Sequence, residues 1–142
     1  MALKLLSGAI INDEPAKVSI GGLSHVSETY SLDSDTYTIT ANDTIHMLNL
    51  EKGTRLVDGF LTVDDLDTST GVKLDLKLVG SESSITILSQ STIGQTGGIA
   101  RAAQNIPVLL AEDMKLIVAF QTAPSAQKSG DITTTILAEK VN

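Results

Sequence analysis

Four aspartates fall close together in DGFLTVDDLDTSTGVKLDL, the stretch from Asp58 to Leu76: Asp58, Asp64, Asp65 and Asp67. Carboxylates at that density are the residues that hold divalent cations, and Asp65-x-Asp67-x-Ser69 has the oxygen spacing of an EF-type calcium loop. Such a loop needs glycine at its sixth position for the bend and a bidentate glutamate at its twelfth to close the coordination sphere. Counted from Asp65, the sixth residue is Thr70, the glycine comes one place late at Gly71, and the twelfth is Leu76. The pattern fails where the bend and the closing ligand are set. The reading adopted is a turn in which Asp and Ser side chains bond to nearby backbone. An irregular cation site on Asp64, Asp65 or Asp67 is the competing use of the same carboxylates.

Other chemistry is thinly supplied. His25 and His46 are the two histidines, cysteine is absent, and the serines are scattered without a G-x-S-x-G elbow. A zinc site would have to be completed by carboxylates. No P-loop, dinucleotide fingerprint or HExxH is present. Glu112-Asp113 has acid–base capacity, but nothing in the sequence indicates a pocket around it. The expectation is a protein that is not an enzyme, with no catalytic residue, cofactor or metal.

The elements that would position these groups read as strands. VKLDLKLV (72–79) alternates Val72, Leu74, Leu76 and Leu78 with Lys73, Asp75 and Lys77, a period of two with one buried face. RLVDGFLTV (55–63) precedes it, with Gly59 as a bulge candidate, and the polar DDLDTSTG between them predicts a hairpin. YTIT (37–40), TIHMLNL (44–50), SITIL (84–88), MKLIVAF (114–120) and DITTTIL (131–137) continue the pattern. Ile93 to Asn105 is Gly- and Ala-rich, with a helical turn expected at Ile99 to Gln104. Residues 1–35, broken by Pro15 and Gly21-Gly22, lack sustained periodicity and are expected to be an extended arm or loosely packed strands. The remaining 36–142 would form the domain. Many short strands with turn signals predict an all-β antiparallel sandwich.

Charge and composition narrow the partners. Ten basic against seventeen acidic residues give a net charge of −7, and the Lys and Arg are scattered singly, which argues against nucleic acid and anionic membrane. No apolar stretch approaches bilayer-spanning length. The N-terminus lacks a signal-peptide pattern, so synthesis in the cytoplasm is expected. Tyr30, Tyr37, Phe60 and Phe120 are the only aromatic rings, too few to favour stacking on sugars.

LNLEKGTRLVDGFLTVDDLDTSTGVKLDLKLVG (48–80) resembles a recurring segment of the small jelly-roll head decoration, or cement, proteins of tailed bacteriophages. Glu51 to Val57 matches a Lys-Gly-x-Arg-Leu-Val corner, Asp65 to Ser69 an acidic turn, and Val72 to Leu78 the alternating strand that follows. The resemblance spans about residues 44 to 90 and fades through 114 to 137. It implies a jelly-roll β-sandwich, a homotrimer on the outer capsid surface of the virion, and contacts with the major capsid protein that stabilise the shell. On this reading, Leu3, Leu5, Leu6, Ile10, Ile11, Val18 and Ile20 of the arm contact the capsid or a neighbour, adding a strand to an exposed sheet edge. Ile99 and Arg101 lie at the trimer axis or capsid interface. The alternative function is a receptor- or glycan-binding jelly-roll module of a fibre, tail or head spike, with Tyr30 or Tyr37 as the stacking ring.

Overall fold

A computed structural model describes residues 4–20 and 22–141. The described residues form ten strands: β1 (Lys4–Leu6), β2 (Ser24–Leu32), β3 (Thr44–Leu50), β4 (Thr54–Val63), β5 (Lys73–Val79), β6 (Ser84–Ser91), β7 (Gly98–Ala102), β8 (Val108–Leu109), β9 (Met114–Thr122) and β10 (Gly130–Lys140). One helical turn, α1 (Gly8–Ile11), and one 3-10 turn, Ile93–Gln95, interrupt them. The first sheet has the order β1-β3-β9-β5-β6, and the second β2-β10-β4-β7, with β8 beside β4. Pairing is antiparallel except between β1 and β3, which run parallel. The molecule is an all-β sandwich.

Alternation explains which strand faces meet. Leu74, Leu76 and Leu78 of β5, with Leu116, Val118 and Phe120 of β9, are fully buried. They pack against Leu56 and Leu61 of β4 and Ile132 and Ile136 of β10 from the other sheet in one cluster.

The structure departs from the sequence-based expectations at four places. β4 and β5 are not a hairpin: they belong to opposite sheets, and Asp64 to Val72 crosses between the layers. Turn formers suit a crossover as well as a hairpin, and both flanking strands bury leucines, so each needs the other across the core rather than beside it. Tyr37 to Thr40 lies outside any sheet. The Gln127 side chain stands in for a partner strand there, donating to Tyr37 O and accepting from Ile39 N–H, both at 2.8 Å. Ile99 to Ala102 is strand, not helix, since β7 pairs with β4 from Gly98 to Ala102, and Gln104 follows in a turn. The bulge expected at Gly59 lies at Val57, where the β4–β10 register slips between Leu137 and Ala138.

The first 35 residues do more than a free arm would. β2 pairs with β10 at nine positions, from Ser24 opposite Ala138 to Leu32 opposite Gly130, and Val26, Tyr30 and Leu32 join the core. β1 adds to the edge of β3 of its own sandwich, with Leu5 4% exposed. Ser7 Oγ ties this start down by donating to Met47 O at 2.6 Å. Between β1 and β2 the chain crosses the open side of the sandwich, where Ala16 N–H donates to Asn49 O in one sheet and Lys140 N–H in the other donates to Ser19 O.

Candidate functional site

The acidic crossover is the first place to look for chemistry, and its geometry assigns each carboxylate. Four connections cross between the sheets at one end of the sandwich: β2 to β3, β4 to β5, β6 to β7 and β9 to β10. Asp67 sits where two of them meet and is 1% exposed. Its Oδ1 accepts the N–H groups of Ser69 and Ala126, both at 2.9 Å. Its Oδ2 accepts those of Gly71, Val72 and Ser125 at 2.9 to 3.0 Å. Five donors fill the lone pairs of both oxygens, leaving none directed at an ion. Burial alone would raise the Asp67 pKa, but the N–H groups of Ala126, Ser69, Ser125 and Gly71 outweigh it and hold the carboxyl well below the usual carboxylate range.

The neighbouring aspartates are engaged separately. Asp64 Oδ2 accepts Asp131 N–H at 2.8 Å. Asp65 Oδ1 accepts Asp67 N–H at 3.1 Å, and its Oδ2 faces Lys128 Nζ at 3.4 Å. Backbone bonds from Thr68 to Ala126 and from Lys128 to Leu66 zip the two crossovers together. Among the described residues, no group of three or more His, Asp or Glu converges as a metal site would require. The turn uses its aspartates to bind backbone.

Neither histidine is part of a nucleophile–base pair. His25 lies on the outer, exposed side of β2. His46 is 9% exposed in β3, and its Nδ1 has no hydrogen-bond partner among the described residues. Its side chain points to the outer face of the first sheet, opposite the core positions Ile45 and Met47, and is covered there without a hydrogen-bond partner for Nδ1 among the described residues. Glu112 does not work with Asp113: its carboxylate accepts the N–H groups of Ser81 and Glu82 and the hydroxyls of Ser81 and Ser83, closing the β5–β6 hairpin.

The residues expected to form an interface are not one surface. Leu3 lies outside the described residues. Leu5 is buried and Val18 packs against the core, so both serve the protein's own interior. Ile10 is half-buried in α1. Leu6, Ile11 and Ile20 are exposed, and so is Ile99 at the far edge of the second sheet. Arg101 is exposed on β7 with Nε 3.0 Å from Asp58 Oδ1. Three exposed apolar residues were missed: Leu23, Leu109 and Val141. Ile20 bridges to Lys140, next to Val141, and Leu23 precedes the start of β2, so these three share one end of the second sheet. No periodic signal marks them, because none belongs to an alternating run.

No protein-family model matches the chain. No curated protein matches it either. Solved structures do. A chain from the capsid of Ralstonia phage GP4 superposes with a TM-score of 0.81 at 20% identity, covering 98% of this chain and 99% of that one. A chain from the cyanophage Pam1 capsid asymmetric unit superposes with a TM-score of 0.72, also at 20% identity, covering 90% of this chain and 91% of that one. The protein shares their fold. The likeness runs through the residues before position 35 as well as through the strands where the sequence pattern is clearest. No helix among the described residues is long and apolar enough to cross a membrane.

Proposed function

We propose that the protein is a virion structural protein that binds the outer surface of a phage capsid as a homotrimer and stabilises contacts between major capsid subunits. The observation that carries this reading is the end-to-end likeness of fold to chains taken from two phage capsids. Setting aside β1 and β8, the strand order β2-β10-β4-β7 facing β3-β9-β5-β6 supports the jelly-roll reading, because consecutive strands mostly alternate between sheets. The acidic crossover, which attracts a metal hypothesis, is consumed in holding that fold together.

The mechanism is avidity. Each trimer presents three equivalent weak contacts, and linking them raises the effective affinity without any new contact. A protein that binds the assembled lattice better than its immature or ruptured forms stabilises that lattice by mass action. The exposed Ile11, Ile20, Leu23, Ile99 and Leu109 are the apolar groups available for such contacts, since isolated surface leucines and isoleucines of this size gain most from being covered. The arm's proposed role narrows to the exposed part of residues 6–23, because β2 is part of the sandwich.

The glycan-binding alternative loses its chemistry. Tyr30 and Tyr37 both pack against the core, and burial raises the Tyr30 pKa, with Tyr37 adding to it. Neither ring is presented as a platform. Light scattering on the purified protein tests the trimer: the reading expects three chains of 14.9 kDa in one particle, and a stable monomer across micromolar concentrations contradicts it.

A further inference from the structure

On the outer face of the first sheet, a groove of about 470 Å³ runs over β3, β9 and the end of β5. That volume lies in the range of sites that take a side chain or small ligand. Its floor includes Ile117, Val79 and the ring of His46. His46 Nδ1 is sealed from solvent without a partner among the described residues, a desolvation cost that valine or leucine at this strand position would avoid. The rim carries three carboxylates, Asp13, Glu51 and Asp113, against one ammonium, that of Lys115.

The four charges are not equally engaged. Lys115 Nζ donates to Asn49 Oδ1 at 2.8 Å, not to a rim carboxylate. Glu51 lies 3.7 Å from Lys140 Nζ, and Asp113 Oδ1 accepts Lys52 N–H at 2.7 Å. Asp13 joins none of the ion pairs among the described residues. It follows α1 with φ at 52°, in the left-handed region that aspartate and asparagine tolerate.

We propose that this groove is a socket for a lysine or arginine side chain of a partner protein. The aliphatic stem of the guest lies over Ile117 and Val79, and its cationic head sits among Asp13, Glu51 and Asp113. An acidic guest would meet three like charges, and a purely apolar one would desolvate them without a partner. The imidazole beneath is uncharged at neutral pH: burial first, then Lys4 and Lys115, push its pKa down to about 4. The ring itself therefore offers the guest a face and adds no charge to the ammoniums of Lys4 and Lys115 that act on it, which the three rim carboxylates outnumber. The socket does not depend on the partner being a capsid.

The test is an NMR titration of the full-length protein with L-arginine amide at constant ionic strength, following the His46 ring and the amides of Asp13 and Ile117. L-norleucine amide, which shares the aliphatic stem and the α-ammonium but lacks the guanidinium, is the control ligand. A saturable shift with arginine amide, several-fold tighter than with norleucine amide, is expected. Asp13→Asn, which keeps the left-handed backbone, should weaken arginine amide by a factor of about 2 to 5, the range of one exposed ion pair. The proposal is overturned by no saturable shift at these residues up to about 100 mM. Equal affinity for norleucine amide, or affinity for arginine amide unchanged in Asp13→Asn, overturns it as well.

Discussion

Replacing Asp67 should cost more stability than replacing any other aspartate of the acidic stretch. The carboxylate is 1% exposed and accepts five backbone N–H groups, three from its own crossover and two, Ser125 and Ala126, from the β9–β10 crossover. A hydrogen bond to a charged group contributes about 1.5–3 kcal/mol net. Adding five such terms would rival the whole stability of a domain, about 5–15 kcal/mol, so relaxation of the loops and entry of water must reduce the sum. Asp67→Ala is then placed at about 4–5 kcal/mol, the upper end for a single substitution. Asp67→Asn keeps one acceptor oxygen but turns an NH2 group toward N–H donors, for about 3 kcal/mol and a fall in Tm of roughly 10 °C. Asp65→Asn, which disturbs a half-exposed ion pair and one backbone bond, should stay within about 1 kcal/mol.

The pH dependence gives an independent check. The folded-state pKa of Asp67 is depressed below the ordinary 3.8. Its contribution is complete above that value and is lost as the pH falls below it, because only the unfolded chain then gains a proton. Thermal melts of wild type and Asp67→Asn should therefore differ most at neutral pH and converge below about pH 4. A wild-type and Asp67→Asn pair whose Tm values agree within about 2 °C at pH 7 would refute the reasoning.

Three other outcomes follow from the packing. His46 has the same sign of shift with a different window: its pKa falls from 6.5 to about 4, so the unfolded chain takes up a proton that the folded chain does not between those values. Stability should drop by up to about 3 kcal/mol between pH 6.5 and 4, and His46→Leu should remove that part of the drop in chemical-denaturation curves. Gln127→Ala should cost about 1–2 kcal/mol and open residues 37–40 to protease, since both side-chain bonds to Tyr37 and Ile39 go; unchanged cleavage rates would contradict this. Deleting residues 1–35 should leave a chain without the strand signature of the sandwich in far-UV circular dichroism, because the cut removes β2 with Val26, Tyr30 and Leu32 from the core.

How far the sequence was legible depended on where each residue's partners lay. TIHMLNL was placed with its observed ends, Thr44–Leu50, and the core faces of VKLDLKLV and MKLIVAF were read correctly, because alternation is a local signal. Within residues 1–35, open to an arm or loose strands, β2 has no clear sequence signal since one of its inward positions, Glu28, is charged, its carboxylate accepting Ala9 N–H at 2.8 Å. An inward charge on an edge strand hides the period from a reader of hydropathy. The β4–β5 hairpin failed for a different reason. DDLDTSTG has the composition of any tight connection, and what fixes it as a crossover is a pair of backbone donors 58 and 59 residues away in sequence. The Ile99–Gln104 stretch read as helical from its alanines, while its pairing to β4 was invisible. For the candidate site, the aspartates were correctly read as turn formers, but the groove over β3 and β9 joins residues from Asp13 to Ile117 and has no local signature.

The central claim, a decoration role on a phage shell, is tested most directly by co-sedimenting the purified protein with expanded capsids that lack it. The account predicts saturable binding at a fixed ratio of one trimer per docking site, with capsids that then resist heat or dilution better than bare ones. Protein that stays in the supernatant at every concentration, or binds without a plateau and without stabilising the shell, contradicts it.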